Sequence, residues 1–157
     1  MRLNDRFKLQ EYVPQSVYNE HGDKSVRFIS TALINADFQL LQDLEKHYDR
    51  PISCSINTWV FGGNRNYSGL RVKGEPYYSE YSMHTFGCAS DKIFQFKDND
   101  APLTTSDVYS FIRSNEAEYY DMGIRRMEDI KDARTWIHWD TCFTTDAFDG
   151  TLQIVGA

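Results

Sequence analysis

His84 and Asp91 stand seven residues apart in the run Ser82-Met83-His84-Thr85-Phe86-Gly87-Cys88-Ala89-Ser90-Asp91, and a second imidazole follows in Trp136-Ile137-His138-Trp139-Asp140. Two imidazoles and a carboxylate are a set that a catalytic zinc ion takes, with a fourth position left for water. The spacing around them is informative. With strand alternation, Asp91 shares a face with Ala89 and Ile93, and Trp136, His138 and Asp140 share a face opposite Ile137 and Trp139. That arrangement sends Ile137 and Trp139 to a core and His138 to a cleft. Gly87 permits a tight bend between His84 and the strand of Asp91. Asp140, two residues beyond His138, is placed to hydrogen-bond a ring nitrogen or a bound water. His21 and His47 fall in a polar loop and at a charged helix end, and read as surface residues.

The elements that must position these groups are legible in outline. Leu33, Ala36, Leu40, Leu41, Leu44 and Tyr48 recur at helical spacing from Ser30 to Tyr48, with Ser30 as N-cap and Pro51 just beyond the end. Residues 52–60 are rich in strand formers and end at Gly62-Gly63-Asn64, which opens an irregular stretch to Tyr81. A strand is expected over 89–96, closed by the turn Asp98-Asn99-Asp100. A helix follows over 105–119, then strands over 122–128 and 135–141 joined by a charged turn, and a short last strand over 150–155. The first two dozen residues are polar and turn-rich, with a loop at Asn19–Asp23. Interspersed helices and strands with short hairpins predict an α+β fold.

The chain of 157 residues fits one domain, 1–157, with no repeat or linker to divide it, and its length suffices to bury a core without staples. A net charge of −6 argues against a nucleic-acid-binding surface, which needs clustered Lys and Arg. No run of eighteen apolar residues is present, and the polar start Met1-Arg2-Leu3-Asn4-Asp5-Arg6 lacks an apolar signal-peptide core. A soluble protein without a membrane partner is expected. Cys54, Cys88 and Cys142 are too few and too scattered for a disulfide framework or a thiolate zinc site.

The pattern Ser-x-His-x-x-Gly-x-Ala-x-Asp, here Ser82, His84, Gly87, Ala89 and Asp91, resembles the signature of the zinc D-Ala-D-Ala carboxypeptidases and L-alanyl-D-glutamate endopeptidases, which share their fold with the Hedgehog signalling domain. Trp136-Ile137-His138-Trp139-Asp140 is similar to the strand that carries the third ligand in that family. Ser68-Gly69-Leu70-Arg71 resembles the Ser-Gly-x-Arg element whose Arg holds a substrate carboxylate, and Ile56-Asn57-Thr58-Trp59 with Gly62-Gly63 is similar to segments preceding it in phage-encoded members. The resemblance covers roughly residues 50 to 142.

This resemblance implies a compact domain with a small antiparallel sheet and flanking helices. It implies Zn2+ held by His84, Asp91 and His138, and hydrolysis of peptidoglycan stem peptides. It also implies a phage origin: a lysis enzyme held in the host cytoplasm until release, or a virion-associated hydrolase with other virion proteins as neighbours. Arg71 is the substrate-carboxylate residue it implies, with Arg65 as runner-up; a guanidinium can fork two hydrogen bonds onto a carboxylate. Ser82 either contacts substrate or bonds to backbone at its turn. Many active members carry an acid three residues before the last His, where this chain has Thr135. Glu128 and Asp140 are the catalytic candidates in its place, Glu128 as base across a hairpin and Asp140 as the partner of the ligand; Asp132 is a weaker third. Cys88 and Cys142 are not ligands if the trio is complete. Two other readings stay open: a binding or structural module of a virion that keeps the fold without catalysis, for which Thr135 speaks, and a zinc amidase or hydrolase of another substrate.

Overall fold

Residues 1–8 are irregular and bent as expected, but short helices, and not the expected loop, occupy most of residues 9–28. The computed structural model describes residues 1–99, 101–142 and 150–156. A 3-10 turn at Leu9–Glu11 leads into α1 (Gln15–His21), and a second 3-10 segment, Gly22–Phe28, follows directly. Asn19–Asp23 therefore lies within helical structure. Phe7, Leu9, Tyr12, Val13 and Val17 are buried, and they anchor this segment to the rest of the chain more strongly than its polar residues favour turns.

The periodic segment forms α2 (Thr31–Tyr48). The Ser30 hydroxyl accepts from the Leu33 amide at 3.4 Å, and Asp49 closes the helix in the left-handed conformation before Pro51. Strand β1 (Ile52–Ser55) is shorter than its strand formers suggest. Beyond it the chain is drawn inward by buried Asn57, whose amide donates to the Val13 carbonyl at 3.2 Å and accepts from the Ser68 amide at 2.9 Å. The Trp59 indole reaches the same Val13 carbonyl at 3.0 Å, and residues 59–61 form a 3-10 turn.

Strand β2 (Ala89–Phe96) matches the expected range. Of the turn expected after it, Asp100 lies outside the described residues. Strand β3 (Pro102–Leu103) was not legible in the sequence, and pairs with β2. The helix expected over 105–119 is two helices, α3 (Thr105–Ser114) and α4 (Glu116–Asp121). The break falls at Asn115, whose side-chain amide donates to the Phe111 carbonyl at 2.8 Å in competition with the helical pattern. Strands β4 (Arg126–Glu128), β5 (Ile137–Asp140) and β6 (Gln153–Val155) are cores of the segments expected there.

Among the described residues the strands form one sheet in the order β1-β2-β5-β4-β6, with β3 alongside β2. Every pairing is antiparallel except β4 with β6, so the sheet is mixed and the expectation of an antiparallel one is corrected. The last strand lies beyond β4 from β5, where it runs in the direction of β4. Helices α2 and α3 pack on each other and on β1 and β5 respectively. The fold is α+β. No helix among the described residues is long and apolar enough to cross a membrane.

Strand alternation divides the sheet's chemistry between two faces. Ile137 and Trp139 point into the core, and so do Ser90 and Lys92, all four almost fully buried. There they meet Asp37 of α2, which is also fully buried. Its carboxylate accepts from the Trp139 indole at 2.7 Å, the Ser90 hydroxyl at 2.9 Å and the Tyr12 hydroxyl at 3.0 Å, and pairs with the Lys92 ammonium at 3.0 Å. Lys92 also sits 4.3 Å from the centroid of the Trp139 ring.

A second buried acid contributes to the pH dependence of stability. Glu11 is 4% exposed, and burial pushes its carboxyl from the usual 4.5 to about 7, against the opposing hydrogen bond from the Lys8 amide at 2.9 Å. Because the folded pKa is the higher one, the stabilising contribution of this group is complete below pH 4.5 and is lost as the pH rises to about 7. Glu11→Gln keeps the oxygen acceptor and removes the ionisation. Chemical denaturation at pH 8 should show the variant more stable by about 2–3 kcal/mol, and at pH 4.5 the gain should vanish.

Candidate metal centre

The loop that carries His84 is shaped by Gly87. Residues 82–88 fold into a compact series of turns in which the Gly87 amide donates to the His84 carbonyl at 3.1 Å and the Cys88 amide to the Met83 carbonyl at 2.9 Å. Gly87 has φ 65°, and a Cβ there would stand 1.7 Å from the Phe28 carbonyl oxygen. Only glycine permits both the left-handed backbone and this approach. The chain then enters β2, and Asp91 falls directly opposite His138 on β5.

Three side chains converge. His138 Nδ1 lies 2.7 Å from Asp91 Oδ1, His84 Nε2 lies 3.2 Å from the same oxygen, and the two ring nitrogens are 3.3 Å apart. A tetrahedral zinc with bonds of about 2.0–2.1 Å has ligand–ligand edges of about 3.3 Å; the 3.2 and 3.3 Å separations match that edge, and the 2.7 Å contact of His138 with Asp91 is a shorter, hydrogen-bonded one. Among the described residues His84, Asp91 and His138 are the cluster able to hold a metal ion.

The surroundings orient each ligand. His84 is 2% exposed, and its Nδ1–H donates to the Gly69 carbonyl at 2.7 Å, which leaves the Nε2 lone pair facing the cluster. Gly69 is needed for this, because a Cβ at that position would stand 2.3 Å from the Tyr12 carbonyl oxygen. Burial lowers the His84 pKa, which favours the neutral ring that a metal requires. On the other side, His138 Nε2 lies 3.6 Å from Asp140 Oδ2. Asp140 is 1% exposed and receives the Arg126 guanidinium on both oxygens, at 2.8 and 3.1 Å, as well as the Cys142 amide at 3.0 Å.

Burial works against charge on His138, yet its contacts with Asp140 and Asp91 outweigh that and push its pKa up to about 9. Burial likewise opposes ionisation of Asp91, but hydrogen bonds from His138 and His84 hold its carboxyl well below the usual range. The carboxylate form needed for coordination is therefore the stable one. Donor types and outer partners fit a divalent metal ion, whose binding would displace the His138 proton now shared with Asp91.

The trio opens on a cleft of about 520 Å³ lined also by Arg71, Ser82, Tyr81, Arg126, Glu128 and Trp136. On β4, where Arg126 pairs with Asp140 and Met127 with Trp139, Glu128 alternates onto the face of Arg126 that looks into the cleft. Arg71 Nη2 donates to Asp91 Oδ2 at 2.6 Å and Nε to the Tyr67 carbonyl at 2.6 Å. Among the described residues Nη1 has no protein partner. Arg65 serves its loop instead, through the Ile56 carbonyl at 2.9 Å and the Asp91 carbonyl at 3.1 Å. Ser82 lines the cleft and its hydroxyl also accepts from the His84 amide at 3.3 Å, so it supports the turn.

Thr135 lines a different cleft, with Lys92 and Ile137, and Asp132 lies in the β4–β5 turn outside the residues that line the site. Cys88 and Cys142 line a third depression with Met83 and Phe86. Arg126 was not singled out by sequence reasoning; its alternation with Glu128 on one strand was the available signal. No protein-family model matches this chain, and no curated protein is significantly similar to it.

Proposed function

We propose that this protein is a zinc metallopeptidase that hydrolyses peptide bonds in the stem peptides of bacterial peptidoglycan, as a phage lysis enzyme or a virion-associated cell-wall hydrolase. The observation that carries the chemistry is the convergence of His84 Nε2, Asp91 Oδ1 and His138 Nδ1 beside a carboxylate, Glu128, in one cleft. The substrate class comes from the resemblance of Ser82–Asp91, Ser68–Arg71 and Trp136–Asp140 to the zinc D-Ala-D-Ala carboxypeptidases and L-alanyl-D-glutamate endopeptidases.

Zinc held by the trio would polarise a scissile carbonyl and make water nucleophilic near neutral pH. The chain's own residues do the rest. Glu128 takes the proton of the attacking water and hands it to the departing amine, a task for a carboxylate without another partner among the described residues. Asp140, fixed by Arg126, keeps the His138 ring in place. Arg71 uses Nη1 to hold a carboxylate of the stem peptide, its other nitrogens being spent on fixing its own position.

Elemental analysis after zinc reconstitution is the test, with His84→Ala alongside. About one zinc per chain is expected, lost in the variant, together with fragmentation of muropeptides by the wild type in mass spectra. Wild-type protein that takes up no zinc would sink the proposal. A second reading, a binding module that keeps the site without catalysis, is favoured by Thr135 at the usual acidic position and facing another cleft. It predicts bound zinc and bound muropeptide without turnover.

A further inference from the structure

A guanidinium stands at each end of the row of side chains that runs through the proposed centre. Arg71 Nη2 donates to Asp91 Oδ2 at 2.6 Å, and Asp91 Oδ1 meets His138 Nδ1 at 2.7 Å. On the far side of the same ring, His138 Nε2 lies 3.6 Å from Asp140 Oδ2, and Arg126 Nη2 donates to that oxygen at 2.8 Å. The strand order follows the row, with Asp91 on β2, His138 and Asp140 on the neighbouring β5, and Arg126 on β4 beyond it. Both arginines line the cleft of Glu128. We infer that Arg126 is a second carboxylate-binding residue, so that the preferred peptide carries a free carboxylate on each side of the bond placed at the trio.

Resting on the peptidase reading, this assignment gives a use to a cation that the fixing of Asp140 does not exhaust. Nε and Nη2 of Arg126 are spent on Asp140, and among the described residues Nη1 has no protein partner. The Arg126 side chain is 26% exposed while the Asp140 side chain it grips is 1% exposed, so the guanidinium is the part of the pair that a ligand in the cleft can reach. Asp140 divides its charge among Arg126, the Cys142 amide and His138, which leaves the guanidinium incompletely screened. Arg71 is in the same condition on the opposite side, because Asp91 also serves both imidazoles. The N–H groups on each remaining Nη1 suit a carboxylate oxygen. Against a net charge of −6, which repels an acidic peptide from the chain as a whole, two cations inside the cleft supply a local attraction.

The test reads binding apart from cleavage. Zinc-loaded Glu128→Gln is titrated calorimetrically with a synthetic stem pentapeptide whose carboxylates are all free, and with forms amidated at one carboxylate at a time. Two separate amidations should each weaken binding about tenfold. Arg126→Lys in the same background should abolish the penalty of one of them and keep the other, since an ammonium drawn to Asp140 has no fork left for the ligand. Sensitivity to a single amidation overturns the second carboxylate site. Arg126→Lys that weakens every peptide in the same proportion also overturns it, and reduces Arg126 to the fixing of Asp140. Turnover by zinc-loaded wild type is read separately by mass spectrometry. Cleavage without the two amidation penalties leaves the peptidase reading standing and sinks the second site, whereas the penalties without cleavage do the reverse.

Discussion

Glu128→Gln should lower kcat on muropeptides by about 10²–10⁴-fold while zinc content and thermal stability stay at wild-type values. The expectation follows from the other acids that line the cleft. Asp91 is committed to both imidazoles and to Arg71. Asp140 is committed to Arg126, to the Cys142 amide and to His138. Among the described residues, Glu128 is the cleft-lining carboxylate with no hydrogen bond or ion pair, and it is half-buried in the proposed substrate cleft. Glu128 lines the same cleft as His138, and the glutamine keeps the shape of the wall and removes only the basic oxygen. Loss of zinc in this variant would recast Glu128 as a supporting ligand, and unchanged kcat would pass the role of base to another group.

How far the site was legible depended on whether its residues act locally or across the fold. His84, Gly87 and Asp91 lie in one short run, and His138 and Asp140 alternate on one strand, so period and turn chemistry made them candidates and the resemblance of the run to the zinc peptidase signature implied the set. The helix over Ser30–Tyr48 was equally readable because its apolar stripe and its cap agree. Pairings set by distant parts of the chain were not. The parallel addition of β6 beside β4 depends on how the chain returns after β5, which periodicity does not encode. The engagement of Arg71 with Asp91 depends on a 20-residue separation closed only in the fold. Lys92 and Asp37 were invisible for another reason: charged residues are ordinarily solvated, and nothing local marks two that are buried together.

That buried pair supports the largest stability effect. Asp37→Ala should destabilise the protein by about 3–5 kcal/mol in chemical denaturation, because it leaves the Lys92 ammonium without its carboxylate in a dry interior. The Trp139 indole, the Ser90 hydroxyl and the Tyr12 hydroxyl lose their acceptor in the same step. At about 2–4 °C per kcal/mol for a chain of this size, the melting temperature should fall by about 10–15 °C. Asp37→Asn, which keeps one carbonyl acceptor for the neutral donors, should cost less than the alanine variant; equal costs would mean that the ion pair alone matters. The consequences extend to the metal centre. Ser90 and Lys92 flank Asp91 on β2, and Trp139 flanks His138 on β5, so one carboxylate on α2 fixes the strand backbone behind two of the three proposed ligands. Asp37→Asn that remains folded should therefore bind zinc more weakly, although Asp37 is no ligand. His84→Ala, by contrast, should lose zinc while leaving this core network whole. A folded Asp37→Asn with wild-type zinc affinity would separate the two and show that the cleft face holds its geometry through Gly69, Asp140 and the Gly87 turn alone.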